Sequence, residues 1–266
     1  MKLSIITINY NNIDGLKQTF ESVFDQSSKD FEYIVIDGNS SDGSKELILQ
    51  NTDQINYWVS ESDNGIYNAM NKGIRAAHGE YLLFLNSGDK LYNKEVLSHI
   101  LPTLYQDEII SGNLNIIEKD QRDWIWESPS DVNFHLFYSA TLCHPCSFIK
   151  RSSFDKYGFY DESLKIVSDW KWFLLATCKY DATYRKIADT ISTFYMDGLS
   201  SDPKNVAVVQ QEKLDTMRMS FSRFYFDYQK LSDIKNRYKA FRGSMILMPY
   251  FFAMNVLRKM LGKQII

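Results

Sequence analysis

The first ninety residues alternate two hydrophobic periodicities, and that alternation restricts the fold more than any other feature of the chain. Leu3 to Ile8 is a continuous apolar-rich run, the pattern of a strand buried on both faces. Asp14 then reads as a helix cap, with Leu16, Phe20, Val23 and Phe24 on one helical face. Tyr33 to Ile36 is a second buried strand, Asp42 to Gln50 a second helix and Ile55 to Val59 a third strand. Ile66, Met70 and Ile74 mark a third helix that stops at Gly79, and Tyr81 to Leu85 is the fourth strand. The order β-α-β-α-β-α-β implies right-handed crossovers and a mainly parallel α/β sheet covered on both faces.

Past residue 100 the pattern is less regular. Strands are expected near Ile109 to Ile117 and Ser147 to Ile149, a helix from Ser168, and two strands at Tyr184 to Ile187 and Ile191 to Tyr195. Helices follow from about Asn205. The pattern divides into 1–200, with halves 1–100 and 101–200, and a helical extension, 201–266.

Composition narrows the class. With 266 residues, 44% of them hydrophobic and 24% charged, disorder, collagen-like repeats and a disulfide-stapled mini-protein are excluded. The formal charge of −3 provides no global basic field, so nucleic acid is not the expected partner. The charge is unevenly spread, because residues 201–266 carry twelve basic and five acidic side chains and leave residues 1–200 strongly acidic. Three cysteines, Cys143, Cys146 and Cys178, are too few for a disulfide framework and point to a reducing compartment. The short apolar run behind Lys2 is not a signal peptide, so a cytoplasmic protein is expected. Met245 to Leu257, broken by Pro249 and Asn255, is the nearest approach to the roughly 20 apolar residues of a membrane span.

In an open α/β sheet the ligand lies beyond the carboxyl ends of the strands. Here the strands end at Asn9, Tyr10 and Asn11; at Asp37, Gly38 and Asn39; at Glu61 and Asp63; and at Asn86, Ser87, Gly88 and Asp89. Any one of these residues serves equally well as a turn or cap, but their convergence on one edge favours a site. The first strand is followed by no G-x-G-x-x-G, and neither a P-loop nor a G-x-S-x-G elbow occurs. What remains is the acidic exit LLFLNSGDK, suited to a hard cation such as Mg²⁺ that takes one or two carboxylates and completes its shell with phosphate and water. Asp89 is the natural first ligand.

The stretches SIITINYNN, EYIVIDGNSSDGS, SESDNGIYNAMNKGI and GEYLLFLNSGD, in this order, resemble the N-terminal half of family 2 glycosyltransferases, and HPCSFIKRSSFDKYGFYDESLKIVSDW resembles their acceptor-side region. The resemblance covers about residues 1–200 and implies the GT-A fold, with a donor-binding half at 1–100 and an acceptor-side half at 101–200. It implies inverting transfer of a sugar from a nucleotide-diphosphate donor, with a UDP-sugar favoured, to a hydroxyl of a saccharide or lipid-linked acceptor. Asp37 then contacts the base and Asp63 holds the nucleoside, while Thr7, Asn9, Tyr10, Asn86 and Ser87 complete the donor set. Asn86-Ser87-Gly88-Asp89 corresponds to the family's aspartate-x-aspartate metal motif, reduced to a single carboxylate, Asp89, for Mg²⁺ or Mn²⁺. Asp169, in Val-Ser-Asp-Trp-Lys-Trp, matches the catalytic base. Ser168 is expected to cap that helix and place Asp169 in its first turn, where the helix dipole favours the carboxylate. An acidic residue there also stabilises a helix without any catalytic role.

On the acceptor side, His144, Asp161 and Trp170 are candidates. His144 equally suits a buried, hydrogen-bonded position, and Asp161 a turn. Cys143-His144-Pro145-Cys146 has the spacing of a redox pair but lies at mid-chain, and lacks the remaining ligands of a closed zinc site. From Tyr228 to Ile266, eight basic side chains face one acidic, interleaved with Phe241, Met245, Ile246, Leu247, Tyr250, Phe251, Phe252 and Leu257. Such a segment lies in an anionic membrane interface, as a peripheral contact on the cytoplasmic side, or packs on the catalytic domain. Two other functions fit the same residues: a nucleotide-sugar-binding protein without turnover, and, less well, a nucleotidyltransferase.

Overall fold

A computed structural model describes residues 1–118, 120, 122–196, 198, 202–242 and 254 of the chain. The β-α alternation runs through β1 (Leu3–Asn9), α1 (Ile13–Phe24), β2 (Glu32–Asp37), α2 (Ser44–Leu49), β3 (Tyr57–Ser60), α3 (Ile66–Ala76) and β4 (Tyr81–Phe84). Every residue of β1, β2 and β4 is buried, which their continuous apolar runs require. β3 is only half covered because it forms an edge of the sheet. The cap of α1 is Asn12, whose side chain accepts from the Gly15 N–H at 3.1 Å, while Asp14 stands exposed in the first turn.

After β4 come β5 (Lys90–Leu91), α4 (Val96–Ile100), β6 (Ile109–Ile117), β7 (Asp123–Trp126), α5 (Phe134–Ser139), β8 (Ser147–Lys150), α6 (Ser152–Tyr157), α7 (Ser168–Cys178), β9 (Tyr184–Tyr195) and α8 (Val206–Arg242). The sheet has nine strands in the order β3-β2-β1-β4-β8-β6-β9-β5, with β7 alongside β6. Pairing is parallel among β1, β2, β3 and β4 and between β6 and β9, and antiparallel at β8, β5 and β7. The sheet is therefore mixed and not mainly parallel: the β-α alternation specifies the parallel block β1 to β4, and β6 with β9 adds a second parallel pair. β6 is antiparallel to β8, which is antiparallel to β4, so β6 and β9 end on the same edge as β1 to β4.

The two strands expected at 184–187 and 191–195 are one strand, β9, bent by a bulge. Its register against β6 shifts around Gly112, where an added Cβ would lie 2.4 Å from Ile191 Cγ1 and 2.6 Å from the Asp189 carbonyl. An interruption in the apolar pattern therefore marks the bend and not a chain reversal.

One face of the sheet packs Leu16, Phe20 and Val23 of α1, Ile48 of α2 and Val96, Leu97 and Ile100 of α4 against Leu3, Ile5, Tyr33, Val35 and Leu83. The other face carries α3, which lies so close to β1 that a Cβ on Gly73 would fall 2.5 Å from Ile6 Cγ2. The chain forms two compact units, Met1–Glu212 and Lys213–Ile266. The second holds most of α8, which is interrupted by non-helical backbone at Phe221. No helix among the described residues is long and apolar enough to cross a membrane, and Met245 to Leu257, except Met254, lies outside them.

The close approach of α3 to β1 makes Gly73 sensitive to a single methyl group. Gly73→Ala should cost about 1–3 kcal/mol through overpacking against Ile6, read as a lower urea midpoint with an unchanged slope. An unchanged midpoint would show that the helix can move away from the sheet freely.

Candidate active site at the carboxyl edge of the sheet

Parallel register places Asn9 opposite Asp37, and Asp37 opposite Ser60, at the ends of β1, β2 and β3. Asp37 is fully buried, and its carboxylate accepts from Asn9 Nδ2 at 2.8 Å, Ser40 Oγ at 2.5 Å, the Ser40 N–H at 3.0 Å and Ser60 Oγ at 2.6 Å. Burial alone would raise its pKa, but the hydrogen bonds from Ser40, Ser60 and Asn9 outweigh it and hold the group below the usual range. Asp37 thus ties three strand ends together from beneath. Above it, Tyr10 is 70% exposed, and a Cβ on Gly38 would lie 3.1 Å from the Tyr10 ring and 3.2 Å from Asp63 Oδ2. Tyr10, Gly38 and Asp63 therefore converge, with only a glycine's bulk between ring and carboxylate. Lys72 of α3 anchors Asp63 at 2.6 Å and Glu61 at 2.7 Å.

The Asn86–Asp89 segment forms a tight turn, with the Asp89 N–H donating to the Asn86 carbonyl at 2.8 Å and Gly88 at φ +107°. Thr19 of α1 clasps it, accepting from the Gly88 N–H at 3.0 Å and donating to the Asp89 carbonyl at 2.8 Å. Ser87 is tied to α1 through its hydroxyl, which donates to the Asn12 carbonyl, and through its carbonyl, which accepts from Asn12 Nδ2. Asp89 is 6% exposed, and one of its carboxylate oxygens accepts from the Asn86 N–H at 3.1 Å. In the same turn the Asn86 side-chain oxygen is buried with no hydrogen-bond partner. An orphaned amide oxygen beside a carboxylate fits a hard divalent cation whose other ligands are phosphate and water. Among the described residues no cluster of three or more His, Cys, Asp or Glu could enclose a metal alone.

Asp169 is the second residue of α7, half-exposed in its first turn. Ser168 is not the cap. Val167 holds that position, and the Ser168 hydroxyl is buried, accepting from the Asp161 N–H at 2.6 Å. The hydroxyl of Tyr67, from α3, lies 2.9 Å from Asp169 Oδ1 and donates to the Ile166 carbonyl at 2.5 Å. Burial first, and then the Asp169 charge, push the Tyr67 phenol far above its ordinary pKa, so it stays neutral. Asn71, one helical turn on, donates to the Tyr160 carbonyl at 2.9 Å and accepts from its N–H at 3.0 Å. Sequence reasoning missed Tyr67, Asn71 and Thr19, although the first two stand in the SESDNGIYNAMNKGI stretch at positions 67 and 71, one helical turn apart.

Two other expected site residues, Thr7 and Trp170, lie in the interior. Thr7 is fully buried, donating to the Leu85 carbonyl at 2.7 Å beside Tyr33, and so faces packing and not ligand. Trp170 is 2% exposed and its indole N–H donates to the Phe137 carbonyl at 3.1 Å, so it serves as core between α7 and α5. Asp161 pairs with Lys171 at 2.6 Å and accepts from Ser163, which closes a turn; burial opposes these contacts, but they bring its pKa down to about 2. The cysteines are free, and burial above all pushes the Cys146 thiol well up, the reverse of a reactive redox pair.

The glycosyl transferase family 2 model matches residues 4–158. An uncharacterised glycosyltransferase of Mycobacterium tuberculosis is 32% identical over 200 residues, covering 68% of this chain and 75% of that protein. A PGL/p-HBAD biosynthesis glycosyltransferase of Mycobacterium bovis is 27% identical over 173 residues, covering 63% and 66%. Among solved structures, S. aureus TarS 1–349 in complex with UDP-GlcNAc superposes with a TM-score of 0.63 at 18% identity, over 94% of this chain and 78% of that one. A mannosyltransferase from Pyrobaculum calidifontis, in complex with GDP-Man and Mn²⁺, superposes with a TM-score of 0.56 at 13% identity, over 99% and 88%. These two share the fold.

His144 is buried between Phe84, stacked at a centroid distance of 4.4 Å, and Tyr160, whose hydroxyl is 2.8 Å from its Nε2. Burial lowers its pKa to about 4, against the opposing pull of the Asp169 charge, so it is neutral in the native state. The unfolded chain therefore binds a proton between about pH 6.5 and 4 that the folded chain does not. The stability from burying the neutral ring is complete above that window and is lost as pH falls through it, by up to about 3 kcal/mol. Chemical denaturation of His144→Gln should show a flatter stability profile across pH 6.5 to 4 than the parent. Identical profiles would contradict a neutral, buried His144.

Proposed function

The chain belongs to glycosyl transferase family 2 and has its GT-A fold, and on that premise we propose that it transfers a sugar from a nucleotide-diphosphate donor, with a UDP-sugar favoured, to an acceptor hydroxyl with inversion. The observation that carries this reading is the Asp169 carboxylate in the first turn of α7, met by the Tyr67 hydroxyl. Asp169 accepts the proton of the acceptor hydroxyl while that oxygen attacks the anomeric carbon from the face opposite the diphosphate. The carbon–oxygen bond to the diphosphate breaks, its electron pair leaves with the nucleotide, and a single displacement inverts the centre.

The donor nucleoside lies over the Tyr10, Gly38 and Asp63 slot. Asp37 serves recognition from below by fixing Asn9, Ser40 and Ser60. Asp89 and the Asn86 side-chain oxygen would hold Mg²⁺ or Mn²⁺, which when bound neutralises charge on the departing diphosphate. Solved relatives in fold bind UDP, UDP-GlcNAc and GDP-Man, which supports a nucleotide-sugar donor. The reduction of the metal motif to one carboxylate favours a second reading, a binding protein without turnover, and the same experiment separates the two. UDP, UDP-GlcNAc and GDP-Man should each be tested for thermal stabilisation with and without Mn²⁺. Asp89→Ala should remove the metal-dependent part. With the stabilising donor, Asp169→Asn should bind as the parent does and transfer roughly 10² to 10⁴-fold more slowly. An Asp169→Asn protein with the parent's kcat would remove the catalytic assignment, and a parent that binds donor but never turns it over would establish the second reading.

The acceptor is a saccharide, lipid-linked, and α8 brings the enzyme to the anionic membrane that holds it. Leu231, Ile234, Tyr238 and Phe241 repeat at three- and four-residue spacing and are each more than half exposed, flanked by Lys230, Lys235, Arg237 and Lys239. Co-sedimentation with phosphatidylglycerol vesicles should fall roughly thirtyfold in the double variant Leu231→Ser, Ile234→Ser, because half-exposed leucine and isoleucine each lose about 1 kcal/mol of apolar transfer. Equal binding by parent and variant would reject the membrane role.

A further inference from the structure

We propose that Glu212 is a positioning residue for the transfer reaction: its carboxylate grips the backbone at Lys165–Val167 and, through the Ile166 peptide and Tyr67, sets where Asp169 meets the acceptor. The inference rests on the reading of Asp169 as the base. It goes beyond that reading by assigning to the segment after β9 a part in the reaction.

The loop before α7 has no regular partner on its N–H side, and Glu212 supplies one. Glu212 accepts from three successive N–H groups, Lys165 at 2.7 Å, Ile166 at 3.1 Å and Val167 at 3.2 Å. Consecutive N–H groups directed at one carboxylate form an anion nest, with charge-assisted bonds stronger than neutral ones. Val167 is the cap of α7, and its carbonyl accepts from the Lys171 N–H at 2.9 Å. The grip therefore ends one residue before the helix that carries Asp169.

The opposite side of the same segment is held from α3. The Ile166 carbonyl accepts from the Tyr67 hydroxyl at 2.5 Å, and the Tyr67 oxygen is 2.9 Å from Asp169 Oδ1. One phenolic proton faces two acceptors. While Asp169 is ionised, the phenol can donate to it. Once Asp169 has taken the acceptor proton, it can donate to the Tyr67 oxygen while Tyr67 donates to Ile166, and no proton leaves the pair. The phenol can so hold the base in either state, provided that the Ile166 carbonyl stays in place. Glu212 fixes that carbonyl by bonding the Val167 N–H, the other end of the same planar peptide. Neither Asp169 nor Glu212 lies within residues 4–158, which the family model matches, so the base and its support both belong to the later part of the chain.

The test uses the full chain and the variants Glu212→Ala, Glu212→Gln and Tyr67→Phe. Glu212→Gln keeps one acceptor oxygen and removes the charge, which separates grip from simple electrostatics. Amide exchange at residues 165–167 should quicken at least tenfold in Glu212→Ala and less in Glu212→Gln. With the donor that stabilises the parent, nucleotide release should show kcat lowered roughly tenfold to a hundredfold in Glu212→Ala and Tyr67→Phe, partial rescue in Glu212→Gln, and donor KM within about twofold. Unchanged exchange at 165–167, or an unchanged kcat in a folded Glu212→Ala while Asp169→Asn is inactive, would overturn the role of Glu212 alone. If Glu212→Ala does not fold, Glu212→Gln and Tyr67→Phe carry the same comparison. Parent-like transfer by Asp169→Asn would instead remove the base reading on which this one stands.

Discussion

Parallel pairing of β1, β2 and β3 forces three polar side chains into one row, and the site depends on how that row is satisfied. Asn9, Asp37 and Ser60 are register partners, so their side chains meet whether or not a ligand is present. A carboxylate buried there without donors would be strongly destabilising. Asn9, Ser40 and Ser60 supply those donors, and in doing so they lock the loops that follow three strands into fixed positions. The slot between Tyr10 and Asp63 is a consequence of that locking.

The turn after β4 and the first turn of α7 are built on the same plan, with a polar group restrained from a neighbouring helix. Thr19 of α1 holds the Asn86–Asp89 turn, and Tyr67 of α3 holds Asp169. Helices α1 and α3 lie on opposite faces of the sheet and each directs one hydroxyl to its carboxyl edge. The polar groups at this edge are thus set by helices whose own positions follow from packing, as at Gly73 against Ile6. Shifting either helix moves chemistry as well as core.

Much of this was readable from residue order. Continuous apolar runs identified β1, β2 and β4, because a strand buried on both faces has no polar side to alternate with. The polar exits marked one edge of the sheet as the candidate site, and the turn at Asn86–Asp89 was found by its Ser-Gly-Asp composition. Where the reading failed, one signal served two structures. Asp14 and Ser168 looked like caps, but Asn12 and Val167 hold those positions, since Asp, Asn and Ser suit several places near a helix start. The break between Ile187 and Ile191 looked like a turn and is a bulge opposite Gly112, a difference that depends on the partner strand. Thr7 and Trp170 stand beside other candidate site residues in sequence and are buried in the core.

The sequence by itself determined the α/β order, the edge at which strands deliver polar groups, and the identity of the acidic residues there, because periodicity and strand-end composition are local properties. Only the tertiary structure decided which of those residues are free to act. Asp37 is enclosed by its neighbours, His144 is neutral inside an aromatic cage, and Asp169 is held by Tyr67, about a hundred residues earlier. Glu212 meets Lys165, Ile166 and Val167 across 45 to 47 positions of chain. Contacts of that kind arise from the packing of helices on a shared sheet, and no local pattern in a single sequence encodes which distant side chain will complete them.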